Sequence, residues 1–99
     1  MYAQGIKEQL FTPETPERIE LLMAAMAPGS SSGAEFYTHP GGESGLVAVG
    51  AMKHFVRNKT FLLREGDTFK FQSTIPHRFE NPGPSEAHIL WALVAPIYL

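Results

Sequence analysis

The chain has 99 residues, four histidines, no cysteine and a formal net charge of -2. That length suits one domain able to remove roughly two-thirds of its unfolded surface from water. The composition excludes disulfides and thiolate metal sites, supplies no basic patch for phosphate contacts, and holds no apolar run near the ~20 residues that a membrane-spanning helix needs.

Residues 1–8 are too polar for a signal peptide, which predicts a cytoplasmic protein. Residues 6–11 are expected to form an edge-pairing or exchanged strand. Nine glycines and eight prolines fall at short intervals, the punctuation of an all-β chain with many turns. Residues 12–16, with two prolines, predict a turn. Residues 18–27 combine good helix propensity with alternation of Ile19, Leu21, Met23 and Ala25. A strand is preferred there because every other segment reads as one, and a helix remains the alternative. Residues 28–33 form a flexible loop, and 36–39 a short strand ending at the turn Pro40-Gly41-Gly42. Residues 45–50 are an apolar strand; 52–56 and 60–63 pair as a hairpin around Arg57-Asn58-Lys59. In 68–71 the alternation turns Phe69 and Phe71 toward the core. Residues 77–80 give another short strand, ended by the prolines of 81–85. Residues 87–96 are apolar on both faces, which predicts a central strand. Eight or nine short strands imply a sandwich or barrel.

Two histidines have informative surroundings. His39 precedes the Pro40-Gly41-Gly42 turn and Glu43 follows four residues on, so the turn can bring both side chains to one point. His77 follows Ile75-Pro76, whose restricted backbone fixes its approach. Two imidazoles and one carboxylate on the inner wall of a barrel suit Zn, Mn, Fe, Co or Ni, with an open position toward the mouth. The alternative is a hydrogen-bonded polar cluster in a metal-free pocket. His54, on the hairpin strand, and His88, at the start of the last strand, match no ligand position. Trp91 reads as core before pocket wall, and Met23, Met26 and Met52 as core filler. Arg78, adjacent to His77, points to the opposite, outer face. Lys53, Arg57, Lys59 and Arg64 form a solvated face. Ser30, Ser31 and Ser32 have no acyl-transfer pattern around them.

These residues carry a resemblance. His39, three residues, Glu43, six residues and Gly50 resemble the second half of the first cupin motif. Gly66, ten residues, His77, three residues and Asn81 resemble the second. The likeness covers roughly residues 22–96. Tyr37 stands where the family's first motif begins with a histidine, Ser31 where it has a glycine, and Gln72 and Thr74 where the second motif has proline and glycine. Three ligands of four remain, and tyrosine is a weak substitute at neutral pH because its pKa is near ~10. Residues 28–39, 74–79 and 90–93 are similar to a cupin group that forms the C-terminal sensor of Xre-type helix-turn-helix regulators, whose departures at the first histidine are compatible with Tyr37. No helix-turn-helix pattern occurs in these 99 residues.

The resemblance implies an all-β cupin double-stranded β-helix, or jelly-roll barrel. It implies one domain over 1–99, with a barrel core at about 18–96 and an N-terminal strand or arm at 1–17. It further implies an effector-sensing, small-molecule-binding domain whose pocket holds Tyr37, His39, Glu43 and His77. A divalent transition metal would sit on His39, Glu43 and His77. The expected partners are a small-molecule ligand and a second copy in a homodimer, with no direct nucleic-acid or membrane contact. The rival reading is a free-standing metal-dependent enzyme of the dioxygenase, isomerase or decarboxylase type.

Overall fold

Glycine and proline break the chain into short segments, and in the computed structural model most of these segments are strands. The structure describes residues 5–13 and 19–94. These contain β1 (Ile6–Leu10), β2 (Ile19–Met26), β3 (Gly42–Val49), β4 (Ala51–Val56), β5 (Lys59–Arg64), β6 (Thr68–Gln72), β7 (His77–Glu80) and β8 (Ala87–Val94), and no helix. The expected turn beyond Pro13, the strand start at Arg18 and residues 95–96 lie outside the described residues.

All pairing is antiparallel. One sheet has the order β1-β2-β8-β3-β6 and the other β5-β4-β7. Their inner faces meet through Trp91 and Phe79, with ring centroids 4.8 Å apart, and through His54 and Phe69, at 5.2 Å. This is the jelly-roll arrangement that the resemblance implies. The core is Leu22, Ala24, Met26, Val47, Met52, Phe79, Ala87, Ile89 and Trp91. β8 lies between β2 and β3, as its two apolar faces require.

Residues 19–26 are strand rather than helix, because their backbone groups pair with β1 on one side and β8 on the other. Their buried face is Leu22, Ala24 and Met26, while Leu21, Met23 and Ala25 face outward, half-buried. The hairpin turn is tighter than expected. Val56 pairs with Lys59, leaving a two-residue loop with Arg57 at φ 56°, the left-handed geometry of primed hairpin turns. Residues 36–39 do not form the expected strand. Tyr37 exchanges backbone hydrogen bonds with His77, but His39 N–H donates to the Ser73 carbonyl, so the partner changes before a ladder develops. β3 instead starts early, at Gly42, where the chain gains β8 and β6 as neighbours. The motif's Gly50 has φ +81°, and a Cβ there would meet Ala87 Cα at 3.0 Å. The motif's Asn81 is buried, and its amide donates to the Met26 and Ser85 carbonyls, both at 2.9 Å. Both motif residues shape the chain around the site rather than enter it.

Candidate metal centre and ligand cavity

Glu43 is an inward-facing carboxylate in an otherwise apolar wall: it pairs with Leu93, and Trp91 and Val47 share its face. Its burial is made tolerable by partners on both oxygens, as a buried charge requires. Trp91 donates its indole Nε1–H to Oε1 at 2.8 Å, and Ser73 donates its hydroxyl to Oε2 at 2.7 Å. His39 Nε2 lies 2.9 Å from the same Oε2, and His77 Nε2 lies 3.5 Å from it. The turn after His39 and the start of β3 bring the first pair together. β7, held by Tyr37 and by β4, brings the third.

Potential ligand atoms of His39, Glu43 and His77 lie within 4.8 Å of one another. The chemistry of His77 fits a cation between them. His77 Nδ1 faces the Ile75 carbonyl at 2.7 Å, so the proton is assigned there by the hydrogen-bond network. In the neutral ring Nε2 then carries a lone pair. That atom is fully buried with no hydrogen-bond partner, and it faces a carboxylate oxygen. Two acceptors aimed at each other are balanced by a cation. The Nδ1–carbonyl bond is the outer contact that orients metal-binding imidazoles.

Above this group lies a cavity of about 430 Å³, lined by Glu8, Leu22, Tyr37, Thr38, His39, Glu43, Phe79, Trp91 and Leu93, a size that suits a small organic ligand. Tyr37, His39 and Glu43 reach its surface. His77 is wholly buried beneath them, its ring centroid 4.4 Å from that of Tyr37. Burial, then the nearby Glu43 and Glu8 charges, push the Tyr37 phenol above its ordinary value, although a Ser32 hydrogen bond opposes this. Tyr37 is therefore a neutral phenol at the site. Trp91 is both core and pocket wall, which its place in an apolar run does not disclose.

Arg78 points outward as expected. It donates to the Gly33 carbonyl, pairs with Glu80 and lies over the Phe55 ring. The serine loop is structural: Ser32 Oγ accepts the Phe79 N–H at 3.0 Å and ties the loop to β7. His88 is a surface residue beside Glu86. His54 was legible only as a strand residue, yet it is 1% exposed, with Nε2 unpartnered. Burial, then the neighbouring His77, push its pKa down to about 4, so it stays neutral. Alternation with Met52 in β4 is the signal that puts it inside.

The sequence model of the Cupin_2 cupin domain family matches residues 22–93. Among curated proteins none matches the chain in sequence. The fold is similar to that of the Cupin_2 domain of an XRE-family transcriptional regulator from Enterobacter cloacae, with TM-score 0.81 and 18% identity over 94% of this chain and 99% of that one. It is similar to a predicted oxalate decarboxylase from Thermotoga maritima, with TM-score 0.78 and 20% identity over 92% of this chain and 81% of that one. It is also similar to an HTH_3-family transcriptional regulator from Vibrio cholerae, with TM-score 0.77 and 18% identity. There the match covers 93% of this chain and 52% of the regulator. At these identities the likeness is one of fold.

Proposed function

The chain belongs to the Cupin_2 family of cupin domains, and from that premise we propose that it binds a small-molecule effector as the sensor of a transcriptional regulator. The observation that carries this reading is the cavity of about 430 Å³ above His39 and Glu43, walled mainly by apolar side chains. A concave, mostly apolar volume with a few convergent polar groups is the usual form of a small-molecule site. The fold shared with the regulator domain from Enterobacter cloacae supports the sensor role. In this reading Tyr37, His39 and Glu43 form the polar end of the pocket, with His77 buried behind them. His39, Glu43 and His77 hold a divalent transition metal such as Zn, Mn, Fe, Co or Ni. The unit is one cupin domain acting in the cytoplasm as a homodimer. Ligand binding would shift the balance of two conformations sensed by an attached DNA-binding domain.

The buried His/Glu/His group favours a second reading, a metal-dependent enzyme, since three protein ligands leave positions open for substrate. One experiment separates the two. Small molecules that co-purify with the native protein are extracted, identified by mass spectrometry and returned to metal-replete protein. The sensor reading expects saturable binding and full recovery of the compound unchanged. Conversion to a product at catalytic turnover would replace it with the enzyme.

A further inference from the structure

β5 is the edge of the smaller sheet, and among the described residues no strand lies beyond it. Its hairpin with β4 closes at the pair Val56–Lys59 around a two-residue loop. That closing pair is hydrogen-bonded, and bonded and non-bonded pairs alternate along an antiparallel ladder. Thr60, Leu62 and Arg64 therefore turn their N–H and C=O groups away from β4. The edge is closed at one end only. Asp67 Oδ2 accepts the Arg64 N–H, and the Arg64 carbonyl accepts the Asp67 N–H, both at 2.8 Å. The outward groups of Thr60 and Leu62 have no backbone partner among the described residues. The same stretch is apolar on both faces, with Phe61 45% and Leu62 50% exposed. A strand open along its edge and on both faces is a template for strand addition.

Charge decides the occupant. Residues 51–64 hold Lys53, Arg57, Lys59 and Arg64, half of the chain's eight lysines and arginines, and no acid. The neighbouring carboxylates are engaged: Glu65 accepts the Gly50 N–H, Asp67 that of Arg64, and Glu80 pairs with Arg78. A second copy added here would bring the four cations of each hairpin together, and like charges across a ladder repel. Nucleic-acid phosphates would neutralise the cations but cannot both donate and accept along a strand. We propose that β5 is a docking edge for an extended acidic segment of a partner protein, which adds to the smaller sheet as a further strand. Acidic residues at the ends of that segment face Lys59 and Arg64, and apolar residues between them cover Phe61 and Leu62. No β5 residue lines the ligand cavity, so this surface is independent of the small-molecule reading.

Isotope-labelled protein is titrated with two capped hexapeptides, Glu-Thr-Val-Val-Thr-Glu and Lys-Thr-Val-Val-Thr-Lys, and followed by amide NMR. The acidic peptide is expected to bind at least about tenfold more tightly. It should shift the Thr60 and Leu62 amide resonances and slow their exchange with solvent. Replacing both of its valines by proline removes ladder donors and should abolish binding. The double variant Lys59→Glu/Arg64→Glu changes two exposed residues and should prefer the lysine-ended peptide, with circular dichroism confirming that it folds. Binding of neither hexapeptide, or equal binding of both, would overturn the proposal; that is the result expected if the cations only guard the edge against association. Binding that tolerates the prolines would overturn strand addition. Thr60 and Leu62 amides already protected by self-association would hand the edge to a second copy. Tighter binding of an oligothymidylate at the same amides would hand it to single-stranded nucleic acid.

Discussion

Trp91 Nε1 and Glu43 Oε1 are 2.8 Å apart, a hydrogen bond between adjacent strands of one sheet. It fixes one oxygen of the carboxylate and leaves the other facing His39 and His77. Trp91→Phe keeps the aromatic packing and deletes the donor. Metal affinity, read by calorimetric titration, is expected to fall about 10- to 100-fold, as for other outer partners of ligands. Unchanged affinity would mean that Ser73 alone orients Glu43.

Three histidine substitutions should separate site from scaffold. His77→Ala removes a ligand and should cost metal binding several kcal/mol, to order of magnitude. His54→Ala leaves the ligand set intact but empties a buried position, so it should lower stability by about 1–3 kcal/mol with a smaller effect on the metal. His88→Ala removes an exposed contact with Glu86 and should change stability by less than about 1 kcal/mol. Metal titration and urea unfolding of each variant check the ranking. Equal effects would show that the site is misplaced.

His54 should make the fold sensitive to mild acid. Burial, with a smaller contribution from the neighbouring His77, holds its pKa at about 4, against 6.5 ordinarily. Between those values the unfolded chain binds a proton that the folded chain refuses, so stability falls as pH falls. The contribution is intact above about pH 6.5 and is lost progressively toward about pH 4, by roughly 3 kcal/mol. Denaturant unfolding across this range measures it. His54→Gln should flatten the profile, and an unaltered slope in that variant would assign the effect to other groups.

The outer edge of β1 has no strand beside it among the described residues, and Leu21, Met23, Leu46, Leu90 and Ala92 leave the outer face of the same sheet partly apolar. Unpaired edges are commonly covered by association. Sedimentation at micromolar concentration should give a dimer, and the outward amides of β1 should exchange slowly with solvent. A monomer with fast-exchanging β1 amides would refute edge pairing.

Much of this protein is written locally. Turn residues such as Gly66 and the Pro82-Gly83-Pro84 run mark where strands stop, and the intervals linking His39, Glu43, Gly50, His77 and Asn81 mark the candidate site, because turns and short spacings constrain nearby backbone directly. The inward faces of β1 and β4 were another matter. A strand's period of two offers each side chain one of two faces, and only pairing with distant strands chooses between them; a slip of one residue would reverse the choice. The register of β1 on β2 set Glu8, still exposed, along the cavity, that of β4 on β7 enclosed His54, and that of β8 on β3 aimed Trp91 at Glu43. Alternation with Met52 hints at the face of His54, but which face of each strand meets the core depends on its hydrogen-bonded ladder with a partner strand, and so on tertiary structure.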